Sequence, residues 1–517
     1  MKAFQNNIPF LSAILVGLIA MPIALLGFDF SFYPGDLGDA RFNIYLLEHG
    51  YQFLLGKHEW YWNAPFMYPV ENVITVSDNL LGTVPVYSVF RVLGFDTFTS
   101  FQLWFIAVFA LNFTAAYWLF NWLFKNRYAA AVAAFIFAFS ISSQSQMGHA
   151  QVFARFFIPL AFLFIFKFGK ELKPKYFFLA ALCVVGQFYC GIYLGMLTIL
   201  PFVAVTLTLV AWRYKLLLQN VKKLKWWGFM VASVIVNAAL LFKLMWPYYQ
   251  RSLISLPDSY ENIFVTLPKF ISYVFAKNGS LLWKSLEAIA TDIPAWYNHQ
   301  LFPGIFVCIS LMAACFLLLK YKEKNRLEIS LLFIAGLVTL LFFIRVDDFT
   351  LYQYIYKIPG FQSLRSLTRI IGIDLLFFGL VAGIFVKYLT EKFPKRQMVI
   401  FPLLLGFIVL DNYVDPKMTY RSPKNIARER VDALVAKMNH LPAGTLISYE
   451  PEIVDNGAAI QLDAMLASQA LELKCLNGYS ATSPATFTPY WIEPNAENRG
   501  YWLESVGIDP DLRVVIK

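Results

Sequence analysis

The chain has 517 residues, of which 58% are hydrophobic, 18% aromatic and only 15% charged, and its mean hydropathy is +0.56. That balance excludes an ordinary soluble globular protein and points to one that crosses a bilayer many times. The net charge of +10 does not point to nucleic acid, because the basic residues form short clusters between apolar runs, not one stripe interleaved with aromatics.

The first apolar run, IPFLSAILVGLIAMPIALLGF after Lys2, is long enough to cross roughly 30 Å of hydrocarbon. It lacks a small-residue cleavage site, so a retained span is expected. The stretch GDLGDARFN, residues 35 to 43, follows. From there to residue 55 the periodicity is helical: Leu37, Ala40, Ile44, Leu47, Tyr51 and Leu54 form one stripe, and Arg41, Tyr45, Glu48 and Gln52 another. A mixed helix over 36–55 beside a span is expected to lie in the membrane interface. Asp36 and Asp39 fall in its first turn. Local spacing leaves two readings open there, a capped helix start with Asp36 as N-cap, or a carboxylate that takes a proton from an acceptor hydroxyl.

Further apolar segments fall near 101–124, 128–143, 153–169, 175–190, 191–212, 225–246, 303–320, 327–344, 370–389 and 398–411. Basic loops at 125–127, 167–175, 213–225, 320–326 and 387–397 all fall on one side only if 78–94 does not cross, so that segment is expected to be a short or interfacial helix. The N-terminus is then cytoplasmic. Outside lie a first loop (29–100), a polar turn (142–151), a loop at 247–299 and a tail from 412. In the tail, PAGTLISYEPE reads as turn and strand and AIQLDAMLASQALE as helix, which predicts a small α/β domain.

Cys183, Cys190, Cys308 and Cys315 lie in apolar segments and Cys475 stands apart. No structural disulfide or zinc site is expected. Walker, GxGxxG, GxSxG and HExxH motifs are missing.

The stretch PGDLGDARFNIYLLEHGYQFLLG, followed by YWNAPFMYPVENVITVSDNLLG, resembles the first external loop of bacterial multi-pass glycosyltransferases of the GT-C class. That class includes protein O-mannosyltransferases and aminoarabinose transferases. The resemblance continues more weakly through HAQ (149–151), LRSLTR (364–369), QLDAMLASQ and NGYS. It implies an all-α integral membrane fold with about eleven transmembrane helices over residues 1–411. A small C-terminal α/β extracytoplasmic domain over 412–517 would complete it.

The activity implied is transfer of a sugar from a polyprenyl-phosphate donor to a glycan, lipid or protein acceptor, outside the cytoplasmic membrane of a bacterium. The resemblance makes Asp39 the catalytic base, with Asp36 as the alternative. Arg365 and Arg369, spaced as one helical turn at a predicted outer helix mouth, are the candidate donor-phosphate ligands. His149 and Gln151, with Arg41, Glu48, Tyr68, Asn72, Asp78 and Asn79, are candidate substrate contacts. No cofactor is required by this reading. A divalent cation could be held by Asp36, Asp39 and His149, although hard cations prefer more carboxylates than these.

The rival classes are a transporter or flippase of lipid-linked glycans and a non-catalytic envelope protein that binds glycans. Transporters concentrate ionisable residues and broken helices at mid-membrane. This sequence places its unusual polar residues in external loops.

Overall fold

In the computed structural model, which describes residues 2–221, 223–253, 259–320, 325–480, 483–509 and 513–517, the first apolar run forms helix α1 (Lys2–Leu18). It continues through a π-helical turn at Ile19–Ile23, which contains Pro22, into Ala24–Leu26. Proline has no N–H to give the helix, and a wide turn absorbs that loss. Gly27, at φ +76°, ends the run.

The first loop carries strand β1 (Phe32–Pro34), helix α2 (Asp39–Leu54) and helix α3 (Val84–Val92). Nine residues rise about 13 Å, less than half a hydrocarbon core, so the 78–94 segment forms the short helix expected of it. The remaining apolar helices are α4 (Thr97–Phe124), α5 (Arg127–Phe139), α6 (Phe157–Glu171), α7 (Pro174–Cys190), α8 (Ile192–Val221), α9 (Leu224–Ser252), α10 (Ile305–Lys320), α11 (Arg326–Phe343), α12 (Ile371–Lys392) and α13 (Gln397–Asn412). A helix stands at each apolar segment read from the sequence. Among the described residues, eight stretches are long and apolar enough to cross a membrane, and Pro174–Cys190 and Ile305–Leu319 are shorter apolar helices. Parts of the basic clusters at 213–225 and 320–326 and of the loop at 247–299 lie outside the described residues.

Local chemistry sets the helix ends. Asp96 caps α4 by accepting the N–H groups of Phe98 and Thr99, each at 3.1 Å, and Asn126 caps α5 through Tyr128 and Ala129 in the same way. Helix α5 is the centre of the bundle, and every residue from Ala129 to Phe139 is buried. Its alanines let neighbouring backbones approach closely. Opposite it, a Cβ on Gly379 of α12 would lie 2.6 Å from the Ala133 carbonyl oxygen, and one on Gly383 would lie 2.2 Å from the Phe124 ring. At the periphery, α9 leaves Val231, Val234, Ile235 and Phe242 exposed, the apolar surface a lipid-facing helix needs.

The tail folds back onto the first loop. Strand β2 (Arg421–Pro423) pairs antiparallel with β1, Tyr33 opposite Ser422. Helix α14 (Lys424–Met438) follows, then β3 (Leu446–Tyr449), helix α15 (Gly457–Ala470), β4 (Lys474–Cys475) and β5 (Arg513–Ile516). The three strands form a parallel sheet in the order β4-β3-β5. The first loop extends the sheet at its β4 edge. Cys475 N–H donates to the Pro65 carbonyl at 2.9 Å, Tyr68 N–H to Cys475 at 3.1 Å and Met67 N–H to Asn477 at 3.1 Å. All five cysteines are free thiols.

Helix α2 differs from its reading in two respects. It begins at Asp39, not at residue 36. Its polar stripe is covered by protein: Arg41, Tyr45, Glu48 and Gln52 are all buried, because α15 and α3 pack against it. The stripe that reads as a water-facing surface is a set of internal ties.

Candidate active site

The turn that presents Asp39 is built from glycines. Gly35 has φ +95°, and a Cβ there would sit 2.6 Å from the Ala40 Cβ, so only glycine fits. Gly38 occupies the cap position of α2 with no side chain to cap it. Asp36 is therefore not the N-cap. Its Oδ1 accepts the Gly38 N–H at 2.9 Å and its Oδ2 accepts the Tyr420 hydroxyl at 2.8 Å. Asp39 is the first helical residue, at the positive end of the α2 dipole.

Two remote segments meet at Asp39. Tyr479, from the tail, donates its hydroxyl to Asp39 Oδ1 at 2.6 Å, and His149 Nδ1, from the polar turn between α5 and α6, lies 3.1 Å from Oδ2. Burial pushes the Asp39 carboxyl upward, but the bonds from His149 and Tyr479 and the charges of His149 and Arg369 outweigh it, and the group titrates below its ordinary range. Tyr479 is raised well above the usual phenol range, first by burial and then by the carboxylate it serves. Burial and the bond to Asp36 raise Tyr420 likewise.

Arg365 and Arg369 do not share one helical face. The segment runs as two 3-10 turns, Phe361–Ser363 and Leu367–Ile370, with Ser366 extended between them at φ −126° and ψ 93°. Tyr193 at the start of α8 organises this loop. Its hydroxyl accepts the backbone N–H groups of Arg365 and Ser366, and its ring lies 4.2 Å under the Arg369 guanidinium. Arg369 acts electrostatically on both Asp39 and Asp78. It also lines a narrow, mostly apolar crevice in which Ser143, Gln146 and Arg155 stand beside Val152, Phe153 and Leu375. Two of the residues that line it carry buried polar atoms without a hydrogen-bond partner, Arg369 Nε and Gln146 Oε1.

The other residues singled out in the sequence are tied into the scaffold. Arg41 forms a buried ion pair with Asp463. Glu48 accepts the Tyr87 hydroxyl and Arg91 Nε, each at 2.8 Å. Asn79 donates to the Phe188 carbonyl at 3.2 Å. Asp78 accepts the Ile192 N–H at 2.5 Å at the start of α8, and burial raises its carboxyl to about 6 against the pull of that bond and of Arg369. Asn72 adopts φ +50° and accepts the Trp60 indole N–H at 2.9 Å. The Tyr68 ring lies 4.8 Å under Lys474. Gln151 accepts from Asn43, which also donates to the Asp39 carbonyl, so it touches the site through one intermediate.

Tyr479, Tyr420 and Tyr193 were missed by sequence reasoning. NGYS in the tail is the only signal that touches any of them.

The donor set does not suit a divalent cation. Such ions take six or more oxygen ligands, and among the described residues no three His, Cys, Asp or Glu side chains gather around one point. Each oxygen of Asp36 and Asp39 accepts one hydrogen bond from the protein.

The bundle, with its long first loop and folded-back tail, has the fold of the GT-C class of membrane glycosyltransferases. Among solved structures it is similar to the Archaeoglobus fulgidus oligosaccharyltransferase AglB in complex with an inhibitory peptide and a dolichol-phosphate. The TM-score is 0.50 at 13% identity, covering 98% of this chain and 69% of that one. The Archaeoglobus fulgidus oligosaccharyltransferase tethered by a disulfide bond to an acceptor peptide containing the NVT sequon matches with the same values. No protein-family model and no curated protein matches the sequence.

Proposed function

We propose that this chain is a membrane glycosyltransferase that takes a sugar from a polyprenyl-phosphate carrier and passes it to an acceptor hydroxyl on the extracytoplasmic side. Residues 1–411 would form the membrane module and 412–517 the extracytoplasmic part, in a bacterial cytoplasmic membrane with the N-terminus inside. The observation that carries this reading is the pairing of opposite charges at one place. Asp39 is held ionised by His149 and Tyr479 while the Arg369 charge acts on it.

A displacement at an anomeric carbon needs both poles. The cluster around Asp39 receives the acceptor's proton, and Arg369 meets the negative charge that grows on the departing phosphate. Attack from the face opposite the phosphate inverts the anomeric centre. The fold it shares with an oligosaccharyltransferase crystallised with dolichol-phosphate supports a lipid-linked donor. Arg41, Glu48 and Asn79 belong to the scaffold in this reading.

The test compares lipid-linked and surface glycans of cells with and without the protein. One glycan should be lost or truncated when the gene is removed and recovered when it is restored. An unchanged profile at good expression overturns the reading.

A further inference from the structure

We infer that the atom accepting the acceptor's proton is His149 Nε2, and that Asp39 is the positioning residue that holds this imidazole. The inference rests on the transferase reading above and assigns a role within it.

The geometry follows from what each group is able to donate. Asp39 already accepts two hydrogen bonds, one on each oxygen, from Tyr479 and from His149. An ionised carboxylate accepts only, so the proton between it and His149 sits on Nδ1. That fixes the tautomer and leaves the lone pair on Nε2. Among the described residues, Nε2 has no protein hydrogen-bond partner. The His149 side chain is 28% exposed, within reach of a substrate.

The backbone under His149 is held from both sides. Its N–H donates to the Gln146 carbonyl at 2.9 Å and its carbonyl accepts the Val152 N–H at 3.1 Å. A Cβ on Gly148 would meet the Tyr420 ring at 2.9 Å, so the approach to His149 is packed as well.

Electrostatics point the same way. A carboxyl lowered below its ordinary range is a weak proton acceptor at neutral pH. A neutral imidazole with a free Nε2 lone pair is able to take that proton. The charged and titratable groups around the imidazole are Asp39 with its partner Tyr479, Asp36 with its partner Tyr420, and Arg369, whose charge acts on Asp39.

The step balances. The acceptor's O–H proton moves to Nε2 as its oxygen bonds the anomeric carbon. The bond from that carbon to the carrier phosphate breaks, and its electron pair leaves with the phosphate. The imidazolium is held by the Asp39 carboxylate until water takes the proton.

The experiment uses the full chain in nanodiscs with radiolabelled polyprenyl-phosphate glucose, mannose and N-acetylglucosamine, and follows the donor that reacts. His149→Gln should lower kcat by about 10²–10⁴-fold, the usual range for general-base catalysis, with donor binding retained. Asp39→Asn should keep a measurable rate, and the acid limb of its pH–rate profile should move to lower pH, because a neutral neighbour no longer favours the imidazolium. Added imidazole should restore part of the rate to His149→Ala. If His149→Gln turns over normally while Asp39→Asn is inactive, Asp39 is the base; the inference falls and the transferase reading stands. An unshifted acid limb in Asp39→Asn also overturns it. If neither substitution affects transfer, the inference and the site reading fall together.

Discussion

Arg41 and Asp463 stand 422 positions apart in the chain and meet as an ion pair shut off from solvent, their side chains 0% and 4% exposed. The pair welds the helix that begins with Asp39 to the tail. Arg41 also donates to the Ala459 carbonyl at 2.8 Å, and Asp463 accepts Arg430 Nε at 2.8 Å. Breaking a buried pair costs about 3–5 kcal/mol because a charge is stranded. In Arg41→Ala the stranded Asp463 keeps Arg430, so the loss should fall near the low end of that range. Thermal unfolding in detergent would measure it. A change below about 1 kcal/mol would mean that the tail docks by other contacts.

The two arginines of LRSLTR should separate in function. Arg369→Gln should cut kcat/KM by about 10²-fold, the scale of one transition-state charge contact. Arg365→Gln should stay within about threefold of the unmodified enzyme. Expression should be near normal for both. Equal losses would place Arg365 on the donor as well.

Asp36 and Tyr420 form the outer of the two tyrosine–carboxylate pairs. Asp36→Asn keeps an acceptor oxygen for the Gly38 N–H, and Tyr420→Phe removes one exposed bond. Each should lower transfer by about tenfold, and by no more than about 150-fold, since a single hydrogen bond to a charged group contributes about 1.5–3 kcal/mol. Transfer assays on the two variants would check this. A loss in Asp36→Asn larger than that in Asp39→Asn would move the chemistry to Asp36.

His49 predicts an acid-labile fold. Its side chain is fully buried, it bonds the Tyr61 carbonyl at 2.7 Å, and burial with the charge of nearby His58 lowers its pKa to about 3. The folded protein therefore keeps this imidazole neutral while the unfolded chain takes up a proton below about 6.5. Stability should be full above that value and fall by up to about 1.4 kcal/mol per pH unit from there toward 3. His49→Phe should flatten the midpoint-against-pH curve. Parallel curves would show that other groups set the acid limit.

Topology can be read with reporters. Fusions after residues 172 and 395 should report cytoplasm and one after 417 the exterior, as the basic loops require. A cytoplasmic tail would put Tyr479 and Asp39 on the wrong side for an external acceptor.

Some of this architecture was legible in the sequence because its causes are local. An apolar run of about 20 residues must satisfy its backbone within itself in lipid, so it reads as a helix wherever it falls. Charge asymmetry predicted a short helix within 78–94, and the structure has one of nine residues, Val84–Val92, preceded by a 3-10 turn at Leu81–Thr83. Leu446–Tyr449 and Gly457–Ala470 likewise follow turn and periodicity signals within a few residues. The Gly-Asp stretch stood out for the same reason.

The site itself depended on contacts that no window of sequence contains. The stripe of Arg41, Glu48 and Gln52 has the spacing of a solvated face, and only the packing of α15 and α3 turns it into a buried seam. Arg365 and Arg369 have the spacing of one helical turn, but the loop follows Tyr193, 172 positions away, and leaves the helical path. Asp39 gains its partners from residues 110 and 440 positions distant. Hydrophobicity along the chain decides where helices form, because it acts on neighbours. Which polar groups meet is decided when the tail folds over the first loop, because burial leaves each of them only the partners that the packing provides.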